Sequence, residues 1–418
     1  MENSKFIQKL SLVGEKLGNN IYLQSISRGV MSILPIIIVG SFASLFMGLP
    51  IEQWQGLIKE TGLAAGLGAV VAGTTNLLGL YITYGICKSL SEKLNIKSKI
   101  TPILALVTYV ALLPTTVDKK GMAFLSFDFL GTKGMIVGIL ISVIVCHIYK
   151  FITDKDITIK MPEGTPTYVS DSFLALIPAF IIAIIAMCLK IIFGLTPYGD
   201  AFNCVYSVLQ IPLTVLIGGS LFANMIFIFL TQVNWALGVH PGYLTGMTAP
   251  VLFALDGMNQ ALYAQGKEIP NIIGMAFSYI TTTAVFYPAI AIAILLFARS
   301  KRLKTVGKVA VAPAFFGISE PLVFGLPIVY NPMILIPWLL GPILNFGIAY
   351  VLTSSGIIAR CAGVTVFNIP MIFTGIMNGS VSIAIMEIGL FILDILLFMP
   401  FIKLIDKNYL KEEAGKEE

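Results

Sequence analysis

Apolar runs long enough to cross a bilayer, or nearly so, recur along this 418-residue chain, at roughly 29–49, 63–87, 100–116, 134–152, 172–193, 209–232, 271–298, 333–354 and 380–402. A hydrocarbon core about 30 Å thick asks for about 20 apolar residues per helix. Lipid offers no hydrogen bonds, so runs of this length close their backbone bonds internally, as helices. Charged residues make up 12% of the chain, about half the share usual in soluble domains. The expected fold class is an all-α polytopic membrane protein. Residues 3–20 read as a polar surface helix, with Phe6, Leu10, Val13 and Leu17 at helical spacing. They lack the apolar core of a cleavable signal, so targeting is expected from the first span.

Nine spans would put the termini on opposite sides, and the basic loops disagree. Clusters occur at Lys88/Lys93/Lys97/Lys99, Lys150/Lys155/Lys160, Arg299/Lys301/Arg302/Lys304/Lys308 and Lys403/Lys407/Lys411. If all of them and the N-terminus are cytoplasmic, one more crossing is required between 232 and 271. The candidate is about 235–255, too polar and too rich in Gly and Pro to face lipid, and so expected inside the bundle. Residues 309–330 and 356–379 fit best as re-entrant hairpins entering from opposite sides. The expectation is therefore about ten transmembrane helices plus two re-entrant hairpins, with both termini cytoplasmic in a bacterial cell membrane. The charged loop 153–171 is the strongest boundary. It divides N-terminal scaffold spans (1–160) and a connecting loop with the fifth span (161–208) from substrate-binding spans with both hairpins (209–403) and a cytoplasmic tail (404–418).

The net charge of +5 gives no reason to expect nucleic acid, because the Lys and Arg sit in short loops as topology signals. Five cysteines show no CxxC or Cys/His ligand spacing, so neither a disulfide nor a metal site is expected. No phosphate-cradling GxxxxGK[ST] or dinucleotide GxGxxG is present, and no cofactor is expected.

Glu320 is the only charge between Lys308 and Arg360. A carboxylate at mid-bilayer costs roughly 2.5–3.5 kcal/mol on insertion scales, so it usually faces a partner or a substrate. Gly317, Gly325, Pro321 and Pro327 around it forbid a continuous helix. His240 lies on the extra segment, beside Gly238, Pro241 and Gly242. A carboxylate accepts from adjacent hydroxyls and an imidazole donates or accepts, which suits a neutral sugar and general-base removal of a hydroxyl proton. The bland alternatives are a core or capping histidine, and an ion pair at the hairpin tip for Glu320. Ser319, Gly317, Asn234, Asn368 and Asn378 are further candidate substrate contacts; Asn224, Asn259, Asn331 and Asn345 also lie in or beside apolar segments. Trp235 and Trp338 offer faces for a sugar ring or act as interfacial anchors. Glu387 and Asp394, seven apart, line a proton path or pair with Arg360 or Arg28; structure is the favoured reading. His147, at a span end, reads as interfacial. An ion-coupled secondary transporter is the competing class, since broken helices mark that class too.

The stretch Phe316-Gly-Ile-Ser-Glu-Pro-Leu-Val-Phe-Gly-Leu-Pro-Ile-Val-Tyr-Asn-Pro332 resembles the signature of the membrane IIC component of the bacterial phosphoenolpyruvate-dependent sugar phosphotransferase system, closest to its lactose/cellobiose/diacetylchitobiose branch. Arg28-Gly followed by Leu34-Pro-Ile-Ile-Ile-Val-Gly-Ser41, and Trp235-Ala-Leu-Gly-Val-His240, are similar to that branch's first span and histidine segment. The resemblance spans nearly the whole chain. It implies a homodimer with the first five spans at the interface, and a disaccharide enclosed by the later spans and hairpins. It implies that Glu320 and His240 contact the hydroxyl to be phosphorylated, with the phosphoryl group supplied by a cysteine of phosphorylated IIB. Only a short charged tail follows Lys403, so IIB is expected to be a separate polypeptide and phosphotransfer to need it. Pro241 departs from the pattern, in which glycine is expected directly after the histidine.

Overall fold

The computed structural model describes residues 16, 19–49, 51–117, 122–125, 127–162, 164–238, 241–326, 328, 332–367 and 369–414. His240, Asn331, Asn368 and nearly all of the expected N-terminal surface helix lie outside the described residues.

The N-terminal half is built around α5 (Leu78–Lys93), which packs against α1 (Ile21–Ser32), α6 (Thr101–Leu112) and α7 (Met135–Asp154). Between them come α2 (Leu34–Gly48), α3 (Glu52–Glu60) and α4 (Leu63–Gly73). Asn20 starts α1 by accepting from the backbone N–H groups of Tyr22 and Leu23 at 3.0 and 3.1 Å, satisfying two donors that a helix start leaves open. The chain bends by 43° between α1 and the helix that starts at Pro35, because a proline cannot continue the ladder of the helix before it. Gly29 and Gly85 face each other so closely that a methyl on Gly85 would stand 2.7 Å from the Gly29 carbonyl oxygen. Small residues thus let α1 and α5 approach in the manner of membrane helix pairs. Ile82, Ile86, Cys87 and Leu90 are fully buried behind that contact.

Several apolar runs fold differently from their expected single spans. The run at 100–116 yields only α6, 12 residues long, because Pro114 follows it and a small antiparallel hairpin, β1 (Thr115–Val117) with β2 (Ala123–Leu125), takes over. This is the one strand pairing among the described residues. After α8 (Thr167–Gly194), the run at 209–232 is split between α9 (Ala201–Gly218) and α10 (Leu221–Ala236). Two glycines weaken the helix there, and Ser220 opens the next one by accepting from Ala223 N–H at 3.1 Å.

The C-terminal half holds α11 (Gly242–Tyr263), α12 (Met275–Phe297), α13 (Lys301–Phe315), α14 (Glu320–Gly325), α15 (Pro332–Ser354), α16 (Phe373–Met377) and α17 (Val381–Ala414). The extra segment expected at 235–255 is α11, starting only after Pro241. It packs on α1, with Leu252, Phe253, Ala254 and Leu255 buried. The stretch 309–330 holds the end of α13, a turn and the short α14, whereas 356–379 holds an extended segment at 359–367 and α16. α12 packs against α13 and α17 around a core of Phe286, Trp338 and Phe398, whose rings lie 5.5 Å from Phe286. α17 also seats the start of α13. Asp406 accepts from the N–H groups of Arg299 and Ser300 at 2.8 and 2.9 Å, and Glu413 from Lys301 and Arg302, carboxylates placed where a helix N-terminus favours them. Among the described residues seven helices are long and apolar enough to cross a membrane, with α4 and α5 counted as one from Leu63 to Lys93, or eight if the bent α1–α2 pair is one span.

Candidate functional site

A cavity of about 360 Å³ opens between α10, α11 and the first half of α12. Its size falls within the range of about 300–1,000 Å³ usual for small-molecule sites. α10 presents Asn224, Phe227, Ile228 and Thr231, a spacing that puts them on one helical face. α11 adds Thr245 and Thr248, and α12 adds Ser278, Tyr279, Thr282 and Thr283. Several hydroxyls donate to their own helix, Thr231 to Phe227 at 2.8 Å and Thr282 to Ser278 at 2.6 Å. Their oxygen lone pairs remain available to a ligand. Asn224 likewise commits its N–H groups to the Ile217 and Ser220 carbonyls. The wall is therefore apolar with hydroxyl and amide oxygens set into it, a surface suited to a neutral, hydroxyl-rich molecule.

Gly317 closes one side of this cavity. It ends α13 with φ +74°; its N–H bonds to Ala314 at 2.9 Å and the next N–H, of Ile318, bonds back to Pro313 at 3.0 Å, the Schellman arrangement that needs a left-handed residue. Any β-carbon here would also lie 2.7 Å from the Tyr279 hydroxyl. Two residues later Ser319, only 5% exposed, precedes α14, and its carbonyl accepts from Leu322 and Val323. Glu320 is the first residue of α14 and Pro321 the second, a position where the missing N–H costs nothing. Glu320 is exposed, and among the described residues no cation stands within ion-pair distance of it. The Tyr287 hydroxyl faces Ser319, Gln232 and Trp235, with the Glu320 charge nearby. Since Gln232 also lines the cavity, a polar strip runs from its wall to the Glu320 segment.

The family model described as "Phosphotransferase system, EIIC" matches residues 27–342, three-quarters of the chain and all of the cavity lining except Phe367. The chain belongs to the phosphotransferase-system EIIC family. It is 31% identical to the lichenan permease IIC component of Bacillus subtilis (strain 168), over 98% of this chain and 95% of that protein. It is 29% identical to the lactose-specific EIICB component of Staphylococcus aureus (strain N315), over 97% of this chain and 72% of that longer protein. Among solved structures it superposes on the transporter ChbC, the IIC component from the N,N'-diacetylchitobiose-specific phosphotransferase system. That match has a TM-score of 0.92 and 31% identity, and it covers 98% of this chain and 100% of the other.

Within this EIIC protein, Gly317 lines the cavity, Ser319, Glu320 and Trp235 gather around the Tyr287 hydroxyl, and Asn234 precedes Trp235 in the chain. Asn234 is buried and donates to the Leu230 carbonyl at 2.7 Å. Neither tryptophan lines the cavity. Trp235 and Trp338 are both buried in the core between α12, α13 and α17, and Trp338 donates to the Gln232 carbonyl at 3.2 Å. The expected choice between sugar stacking and interfacial anchoring thus gives way, for Trp338, to internal packing. Asn378 is not brought to this cavity. Its oxygen accepts from Gly363 and Val364, and its N–H groups reach the Val364 and Thr374 carbonyls, so it clasps the extended segment.

Glu387 and Asp394 are structural, as favoured from the sequence, but with other partners. Glu387 accepts from the N–H groups of Ile372 and Gly375 and from the Thr374 hydroxyl, while Asp394 accepts from Asn345 at 2.7 Å. Arg360 instead donates to the Ile269 and Pro270 carbonyls. Sequence reasoning missed Asp256, a buried carboxylate that accepts from Ala276 N–H at 2.8 Å and Thr365 Oγ1 at 2.6 Å, tying α11 to α12 and to the extended segment. A lone acid in an apolar run was its signal, the same one that marked Glu320. Gln232 and Tyr287 were missed as well, and so was the hydroxyl face of α12, whose Ser278 and Thr282 sit at i, i+4.

Proposed function

We propose that this phosphotransferase-system permease takes a β-linked disaccharide into the cavity between α10, α11 and α12 and presents one hydroxyl of it to Glu320 and His240 for phosphorylation by a IIB component. The observation that carries this reading is the contact between a hydroxyl-lined cavity and Gly317 of the Glu320 segment. A neutral sugar meets oxygen acceptors along the walls and a carboxylate at one end, where its hydroxyl is oriented and deprotonated. The phosphate gained carries charge, so the product does not return through an apolar wall. The lichenan, lactose and diacetylchitobiose specificities named for its relatives support a β-linked disaccharide, and the EIICB form of one supports a IIB phosphodonor.

The orientation that fits places the basic stretch Arg299–Lys308, which opens α13, and both termini in the cytoplasm, with about ten crossings, two hairpins and the segments 1–160 and 161–208 as scaffold and dimer contact for the working segment 209–403. Ser319, Asn234, Trp235 and Asn368 complete the site, and Asn378 supports it only through the segment it clasps. The test is phosphorylation of cellobiose, lactose and diacetylchitobiose by purified permease with phosphorylated IIB. Wild type is expected to phosphorylate at least one of them and Glu320→Gln none at a comparable rate. Wild-type rates in Glu320→Gln would refute the role, and uptake that needs a proton gradient rather than phosphorylated IIB would refute the class.

A further inference from the structure

A second cavity, of about 520 Å³, lies among the end of α11, the loop after it, the end of α15 and Arg360 at the start of the extended segment. It shares two elements with the first. α11 lines the first cavity with Leu252 and the second with Tyr263, about 16 Å further along at ~1.5 Å per residue. The extended segment lines the second cavity with Arg360 and the first with Phe367. The two cavities therefore stand one behind the other. The second is at the end where α12 begins, remote from the basic stretch Arg299–Lys308 that follows α12 and opens α13.

Its walls carry polar groups that the fold does not use. The hydroxyl oxygens of Tyr263 and Thr353 are buried and meet no hydrogen-bond partner among the described residues, and Thr353 is only 4% exposed. Buried hydroxyls in native proteins are otherwise nearly always satisfied. Arg360 uses a single guanidinium nitrogen for both of its carbonyl bonds, at 2.6 and 2.9 Å, and Glu268 adds a carboxylate to the same cavity. Glu268 opposes a simple anion, while Arg360 and Lys267, which lines the cavity as well, oppose a simple cation. A neutral polyol meets this mixture of donors and acceptors in complementary fashion, because each of its hydroxyls both donates and accepts.

We propose that this cavity is a second saccharide site, which holds the disaccharide at the outer face before it reaches the cavity beside Gly317. The ligand class rests on the permease reading above; the existence of the site rests on the unpaired hydroxyls and the alignment of the cavities. Ser354 lines the cavity, so Ser354→Cys, in a background carrying Cys188→Ser and Cys204→Ser, should react with a membrane-impermeant maleimide added outside right-side-out vesicles. A saturating disaccharide that wild type takes up (cellobiose, lactose or diacetylchitobiose) should slow that reaction at least threefold. Thr353→Val and Tyr263→Phe should each raise the KM for uptake into such vesicles at least fivefold. In inverted vesicles, where sugar and phosphorylated IIB arrive from the other face, the KM for phosphorylation should change less than twofold. Labelling indifferent to sugar, labelling slowed by inorganic phosphate instead, or an equal loss from both faces would each overturn the site. Failure of wild type to take up any of the three sugars would strike the permease reading itself, and the ligand of the second site with it.

Discussion

Glu320 is exposed at the first turn of α14 and bonds to no cation among the described residues, so in its proposed role exchanging its charge should remove chemistry before it removes structure. Glu320→Gln is expected to melt within about 2 °C of wild type in detergent while phosphorylation falls by about 10²–10⁴-fold, the usual worth of a general base. Gly317→Ala should do the reverse. A β-carbon at φ +74° costs about 1–2 kcal/mol in backbone strain and lies 2.7 Å from the Tyr279 hydroxyl. Both a lower melting temperature and weaker sugar binding, read by calorimetry, should follow. Asp256→Ala strips an acceptor from Ala276 N–H and the Thr365 hydroxyl. A destabilisation of about 1–3 kcal/mol is expected for the buried donors left behind, visible in thermal unfolding. An unchanged melting curve would mean that this carboxylate does not tie the elements together.

At the scale of elements, the extended segment at 359–367 is the unusual piece. Cys361, Ala362, Val364 and Thr365 are at most 3% exposed without helical bonds of their own, and such backbone survives at membrane depth only when protein satisfies it. Asn378 and Asn259 supply that, the latter donating to the Cys361 carbonyl at 3.2 Å. Asn378→Ala should therefore raise hydrogen exchange selectively in 359–367, with α5 and α7 unaffected; uniform protection would contradict the clasp. How legible such elements were in the sequence depended on the range of the cause. The Schellman turn at Gly317 and the helix start at Glu320–Pro321 follow from local residue types, and both the break and the lone charge could be read directly. Asp256 carried the same local signal, but its partner Thr365 is 109 positions away, and no spacing rule links the two. The run at 209–232 was misread for a different reason. Hydropathy adds up side chains and passes over Gly218-Gly219-Ser220, where the backbone loses its reason to continue and a serine begins the next helix.

For the whole molecule, the proposed dimer makes a further prediction: purified protein in nanodiscs should contain two copies by mass photometry, and a single copy throughout would dismiss the N-terminal interface. One element then sets what such a permease can do mechanically. α17 is 34 residues long. At Glu387 it grips the start of α16, which follows the extended segment, and at Asp406 and Glu413 it grips the start of α13, whose far end carries Gly317 and the approach to Glu320. The two grips lie about 28 Å apart along one rod at ~1.5 Å per residue. A displacement of the extended segment, were one to occur, would have a single helix through which to reach the helix that carries the Glu320 turn. Pro400, between the grips, interrupts the hydrogen-bond ladder. It is the joint at which such a rod would flex.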